Sequence, residues 1–178
     1  EDRISIGTVS HQHIYGLLFR LLWPLCRGTP FASRASFYWE EIISNVNLSL
    51  CFIISSPTHL NHFSSFHDYI TKNNEGKKLV LFSSGGPLNN AVSIDILKFF
   101  GCAPIEVYGS TETGGIAYRQ QTSEKDQAWN VFPDVLHRTV AGTLQVQSPF
   151  LLSNNLWQDT GDLVTIMENG QFRLHGRS

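Results

Sequence analysis

The sequence predicts an α/β fold: a mostly parallel sheet with flanking helices, followed by a β-rich C-terminal segment. Three observations lead there. Two apolar runs of strand length, "LSLCFIIS" (48–55) and "KLVLFSSGG" (78–86), show no alternation, which suits strands covered on both faces. Each is followed by a stretch of helical spacing and then another strand, the order of right-handed parallel crossovers. From about Val140 the pattern turns to period two in "GTLQVQS" and "VTIMENGQFRLHG", as half-buried antiparallel strands require.

Taken in order, "RISIGTVS" supplies a short strand, Ile4 to Val9. "YGLLFRLLWPLCRG" is apolar on nearly all sides and reads as a buried helix closed by Pro24 and Gly28. The strand Leu48–Ser55 leads into "SPTHLNHFSSFHDYI". There Ser56 can cap, Pro57 suits the first helical position, and Leu60, Phe63, Phe66 and Ile70 recur at helical spacing. The strand at 78–86 ends in a glycine loop. A helix opening with Pro87 and ending at Gly101 follows, then a third strand, "PIEVYGS". "QQTSEKDQAWN" is polar and is expected as an exposed loop. Asn169-Gly170 marks the turn of a terminal hairpin. The sequence contains no internal repeat and no low-complexity tract.

The bulk properties narrow the classes. A chain of 178 residues suits one domain with a real core. Twelve Phe and four Trp make that core aromatic. A net charge of -2 without a basic stripe argues against nucleic-acid binding. No run reads as a membrane span or as a signal peptide. Cys26, Cys51 and Cys102 are odd in number and lie in apolar surroundings, as reduced core thiols of a cytoplasmic protein would. The chain opens on Glu1 and stops at "FRLHGRS", which reads as a piece of a longer protein.

In a parallel sheet, ligands bind beyond the carboxyl ends of the strands. "SSGGPL" (83–88) and "YGSTETGG" (108–115) both fall there. In the second, glycines allow close backbone approach, and Ser110, Thr111 and Thr113 offer hydroxyls to phosphate oxygens. Glu112 offers a hard oxygen to Mg²⁺, and Tyr108 a flat ring for a base. An ordinary glycine-rich turn has the same composition. "SSGGPL" places bare backbone ahead of a helix, where the dipole favours anions; Gly-Pro pairs also punctuate plain turns. "DTGDL" (159–163) carries a carboxylate able to accept from a vicinal diol, or forms a simple Asp turn.

"YGSTETGG", then "WQDTGD", then "HGR", in this order and at these separations, resembles the adenylate-forming superfamily. "SSGGPL" ahead of the Tyr108 strand and the His-x-x-Gly of "HIYG" fit it too. Within that superfamily, "TVSHQHIYGLLFRLLWPL" is similar to bacterial acyl-CoA or acyl-acyl-carrier-protein synthetase-like proteins. The resemblance implies activation of a carboxylic acid by ATP as acyl-AMP, then transfer to CoA or a phosphopantetheine thiol, with Mg²⁺. It implies that Tyr108 stacks on adenine, with Gly109 and Ser110 beside it, and that Gly85, Gly86 and Pro87 line the adenine and acyl pocket. Thr111 then bonds the α-phosphate, Glu112 coordinates Mg²⁺, and Asp162 takes the ribose hydroxyls beside Arg177. His13 borders the acyl carboxylate, with Gly16 behind it and Gly114 also at the pocket.

On this reading residues 1–139 form an α/β nucleotide and acyl-binding subdomain. Residues 140–178 form a β-rich segment ending at a hinge to a further C-terminal domain. The superfamily's phosphate loop ending in Pro-Lys and its C-terminal catalytic lysine are not found in the 178 residues, so the fragment alone is expected to be inactive. Leu17, Leu18 and Phe19 lean toward a fatty or aryl acid. An adenylation domain serving a peptide or polyene carrier protein is the enzymatic alternative; a non-catalytic nucleotide-binding module and a purely structural fragment are the others. His11, His13, His59, His62 and His67 lack cysteine or carboxylate partners at zinc spacing. No G-x-S-x-G elbow and no Walker-type loop occur. Trp129 and Trp157 read as packing residues.

Overall fold

The computed structural model describes residues 3–45, 51–63, 79–125, 127–151 and 156–178. The chain divides into two compact units, Glu1–Glu106 with Gln120–Lys125, and Val107–Arg119 with Asp126–Ser178.

The first unit is built on β1 (Ile4–Gly7), β2 (Cys51–Ser55), β3 (Val80–Ser83) and the start of β4 (Ile105–Ser110), neighbours in that order and parallel throughout. Among the described residues its helices are α1 (Ile14–Gly16), α2 (Trp23–Arg27), α3 (Trp39–Asn45), α4 (Pro57–Leu60) and α5 (Asn90–Phe100); a π-helical segment (Leu17–Leu22) joins α1 to α2. The unbroken apolar runs have their expected cause. On one face Ile6, Ile53 and Leu81 pack with Trp39, Ile42, Leu60, Phe63, Ile96 and Phe100. On the other, the Trp23 ring lies 4.6 Å from Phe52 and 5.9 Å from Phe82, and Phe19 lies 5.2 Å from Phe82. A strand so covered has no solvent face on which polar residues would alternate.

Several boundaries differ from the sequence reading. Strand β1 stops at Gly7 rather than Val9. Pro24 does not close the helix; the helical run passes from the π-helical segment through Pro24 into α2. Gly28 does close it, at φ 64°. The helical run is not buried all round, since Leu22 and Leu25 are exposed. Helix α5 begins at Asn90, capped by the Asn89 side chain accepting from the Ala91 amide at 2.9 Å, and Pro87 stays in the preceding loop. Ser56 sits at the cap position of α4 without a capping bond, its hydroxyl turned to His59 Nδ1 at 3.1 Å. Cys51 is a core thiol and Cys102 is half-buried, but Cys26 is exposed. Leu48, Phe66, His67 and Ile70 lie outside the described residues.

The second unit holds the rest of β4, then β5 (Gly114–Arg119) and β6 (Asn130–Val131), which pair antiparallel. A four-stranded antiparallel sheet completes it. The strands are β7 (Leu136–Val140), β8 (Thr143–Gln147), β9 (Gln158–Ile166) and β10 (Phe172–Arg177), side by side in chain order. Antiparallel pairing thus begins ahead of Val140. Alternation in β8 buries Leu144 and Val146, which join Ile116, Trp129, Val164 and Phe172 in one core. The terminal hairpin turns at Gly170, φ 79°, whose amide donates to the Met167 carbonyl at 3.0 Å. A two-residue turn lies elsewhere. Ala141 and Gly142, at φ 50° and 84°, join β7 to β8 in the two-residue geometry with both central residues left-handed.

Candidate functional site

In the second unit, β4 presents Tyr108 half-buried, its ring against Trp129 at 5.4 Å and Phe172 at 5.7 Å. Its hydroxyl donates to Asp162 Oδ2. Burial, then the bond to Asp162, push the Tyr108 phenol far above its ordinary value. Asp162 lies on β9 opposite Arg177 of β10, and the guanidinium Nε approaches Asp162 Oδ1 at 3.3 Å. The antiparallel register sets Asp162 beside Arg177, and Tyr108 reaches Asp162 by its side chain from a strand of the other sheet.

After Tyr108 the chain turns through Gly109 to Gly114. Ser110 and Thr113 bind each other: the hydroxyls are 3.0 Å apart and each accepts from the other's amide. Ser148 anchors the turn by donating to the Thr113 carbonyl at 2.6 Å. Thr113 is buried, so its hydroxyl serves the turn and is not offered to a phosphate, contrary to the expectation from sequence. Thr111 and Glu112 remain exposed at the tip. The amide of Glu112 itself, then the Ser110 hydroxyl, hold the Glu112 carboxyl below the usual range, so it stays ionised at neutral pH.

In the first unit, the carboxyl ends of the strands carry a buried polar row. Thr8 and Ser55 hydroxyls lie 2.8 Å apart, and Ser55 stands opposite Ser83, which stands opposite Glu106. Beyond Ser83 the loop carries Gly85 at φ 90°, then Gly86 and Pro87, all three exposed. Leu88 then turns inward. Its amide donates to Glu106 Oε2 at 3.3 Å and its carbonyl accepts from Gln121 Nε2 at 3.0 Å.

His13 is exposed at the start of α1. Gly16 behind it is buried, and a Cβ there would lie 2.0 Å from the Ser10 carbonyl oxygen. Arg20, in the π-helical segment, is buried and donates to the carbonyls of Val9 at 2.7 Å and Ala32 at 3.4 Å. Its stem fills the space left by the absent side chain of Gly7. Burial lowers the Arg20 pKa and raises that of the Tyr15 phenol well above its ordinary value. Phe19 is a packing residue between Tyr15, Trp23 and Phe82.

The structure thus gathers Tyr108, Asp162 and Arg177. It places Gly109, Ser110, Thr111, Glu112 and Gly114 in one turn, Gly85, Gly86 and Pro87 in one loop, and His13 and Gly16 at the cap and the end of α1. Sequence reasoning missed Glu106, Gln121 and Arg20. For Glu106 and Arg20 a signal existed: a single charge inside an apolar run. Gln121 carried none, and it is buried where an exposed loop was expected. Trp129 is the packing residue expected, buried beside Phe172, while half-buried Trp157 lies under the Arg138 guanidinium at 4.1 Å.

In the turn from Gly109 to Gly114, Glu112 is the one carboxylate that could hold a metal ion. Among the described residues no three His, Cys, Asp or Glu side chains cluster around a point. Mg²⁺ bound with phosphates needs only one or two carboxylates, and an exposed, ionised Glu112 meets that need. No helix of the described residues is long and apolar enough to cross a membrane.

Residues 1–139 match the AMP-binding enzyme family. The chain is 29% identical over 136 residues to a 4-coumarate–CoA ligase of Cereibacter sphaeroides, covering 76% of this chain but 31% of that protein. Among solved structures it superposes on apo MatB of Rhodopseudomonas palustris with a TM-score of 0.80 at 18% identity, over 99% of this chain and 40% of that one. A malonyl-CoA ligase bound to methylmalonyl-CoA and AMP gives 0.81 at 20% identity, over 99% and 44%. The chain spans under half the length of each of these relatives. With the family matched over residues 1–139, the chain belongs to the AMP-binding enzyme family.

Proposed function

We propose that the chain is the central part of an ATP-dependent acid–thiol ligase. The intact protein activates a carboxylic acid as acyl-AMP and passes the acyl group to CoA or a carrier-protein thiol. The observation that carries this reading is the gathering of Tyr108, Asp162 and Arg177 in a chain of the AMP-binding enzyme family.

Each residue then has a task. Tyr108 stacks on adenine, with Gly109 and Ser110 beside it. Asp162, oriented by Tyr108 and Arg177, accepts from the ribose hydroxyls. Thr111 donates to the α-phosphate. Glu112 contributes one oxygen to Mg²⁺, which when bound neutralises phosphate charge as pyrophosphate leaves. Gly85, Gly86 and Pro87 offer bare backbone to the adenine and the acid, and His13, Gly16 and Gly114 border the acyl carboxylate. The acid is apolar, fatty or aryl; half-buried Leu17 and Leu18 support that class. The division into residues 1–139 and 140–178 belongs to the same reading, as does a cytoplasmic setting.

ATP–pyrophosphate exchange by the intact protein, across short, medium, long and aromatic acids, tests it. Exchange with one acid class names the substrate class. No exchange with any acid, in a folded protein that still binds ATP, replaces the ligase with a nucleotide-binding module.

A further inference from the structure

Two buried residues grip the end of the Ser83–Leu88 loop, and the roles assigned above use neither of them. Glu106, on β4, is 2% exposed, and Gln121, beyond β5, is 3% exposed. Gln121 Nε2 donates to Glu106 Oε1 at 2.7 Å and to the Leu88 carbonyl at 3.0 Å. Glu106 Oε2 accepts from the Leu88 amide at 3.3 Å. Both backbone polar groups of Leu88 are therefore held by this one pair. Gln121 is fixed in turn: its Oε1 accepts from Asn90 Nδ2 at 3.0 Å and its carbonyl from Ser93 Oγ at 2.9 Å, both on α5.

The residues just ahead of Leu88 depend on such an anchor. Gly85 has φ 90°, a Cβ on Gly86 would meet only the Pro57 ring at 3.9 Å, and both glycines are exposed. Two glycines in succession give the backbone wide freedom. Their position is then set from the ends, by β3 on one side and by Leu88 on the other. The buried carboxylate and amide define one arrangement, because any displacement of Leu88 leaves buried polar atoms unpaired.

We infer that Glu106 and Gln121 are positioning residues for the Gly85–Pro87 loop, holding it in the conformation that receives the nucleotide. The inference rests on the nucleotide reading of that loop given above. Gln121→Glu removes the donor to the Leu88 carbonyl and sets a second carboxylate beside Glu106. The double substitution Glu106→Gln with Gln121→Glu restores a donor–acceptor pair between the two side chains. It still faces the Leu88 carbonyl with a carboxylate.

The test is titration of the intact protein with Mg·ATP, alongside its thermal midpoint. In Gln121→Glu the affinity is expected to fall about tenfold, the effect of one buried hydrogen bond. In the double variant the affinity is expected to stay low whatever its midpoint. Unchanged affinity in a folded Gln121→Glu protein overturns the inference. Affinity that recovers in the double variant in step with the midpoint also overturns it, since that marks a purely structural pair. If Gln121→Glu does not fold, Asn90→Ala removes the outer bond that orients Gln121. Its expected loss is about twofold to threefold, and no loss overturns the inference. Failure of the unsubstituted protein to bind Mg·ATP overturns the nucleotide reading itself, and this inference with it.

Discussion

At Gly109 a side chain has nowhere to go: a Cβ would lie 2.0 Å from the Gly114 carbonyl oxygen, a backbone atom that cannot step aside. Gly109→Ala is expected to distort the turn that carries Thr111 and Glu112 and to cost on the order of 1–3 kcal/mol by overpacking, read as a lower denaturation midpoint. Tyr108 makes a different prediction. Its folded pKa is raised above the unfolded value of about 10. The stabilisation is therefore complete below that value and is lost as pH rises through the folded pKa. Stability measured against pH should fall more steeply on the alkaline side in the unsubstituted protein than in Tyr108→Phe. Equal slopes would show that the phenol gains nothing from its burial beside Asp162. Much of this was legible: Tyr108, Glu112 and Asp162 stood out as chemistry-bearing residues in glycine-rich surroundings. Their pairings were not, because the Tyr108–Asp162 bond spans 54 positions and joins side chains of two different sheets. Nor was the anchoring of the Thr113 carbonyl by Ser148, which lies 35 positions away and which no local pattern marks.

Among the helices and strands, periodicity and burial account for most of what formed. The unalternating strands have helices on one face and the Phe19–Trp23 aromatic group on the other. Capping decides where α5 begins, and Asn89→Ala should cost about 1 kcal/mol in chemical denaturation. An unaltered midpoint would place the start of the helix under tertiary control instead. The β7–β8 turn holds Ala141 at φ 50°, a conformation that asparagine adopts with less strain. Ala141→Asn is expected to stabilise by about 0.5–1 kcal/mol, and a lower midpoint would contradict the turn geometry. Ala141-Gly142 escaped the sequence reading because Ala carries no turn signal, whereas Asn169-Gly170 carries a strong one. Pro24 misled in the opposite direction. A proline reads as a stop, yet helical structure runs from Leu17–Leu22 through Pro24 to Arg27.

The chain entire is a family member that spans 31% of one relative and 40% of another. Its own residues supply an aromatic ring bonded to a carboxylate, an ionised exposed glutamate, and a glycine loop anchored by buried polar bonds. The order of the motifs along the chain made the family legible. The polar network behind them was hidden, because Gln121 sits among residues whose composition reads as solvent-facing. The functional reading turns on Glu112 serving a nucleotide-dependent acid activation. ATP–pyrophosphate exchange by the intact protein and its Glu112→Gln variant, with the best acid of the panel at saturating Mg²⁺, decides it. Exchange is expected in the first and a loss of at least about a hundredfold in the second, with the variant folded to the same midpoint. Equal exchange in both proteins would contradict that role for Glu112.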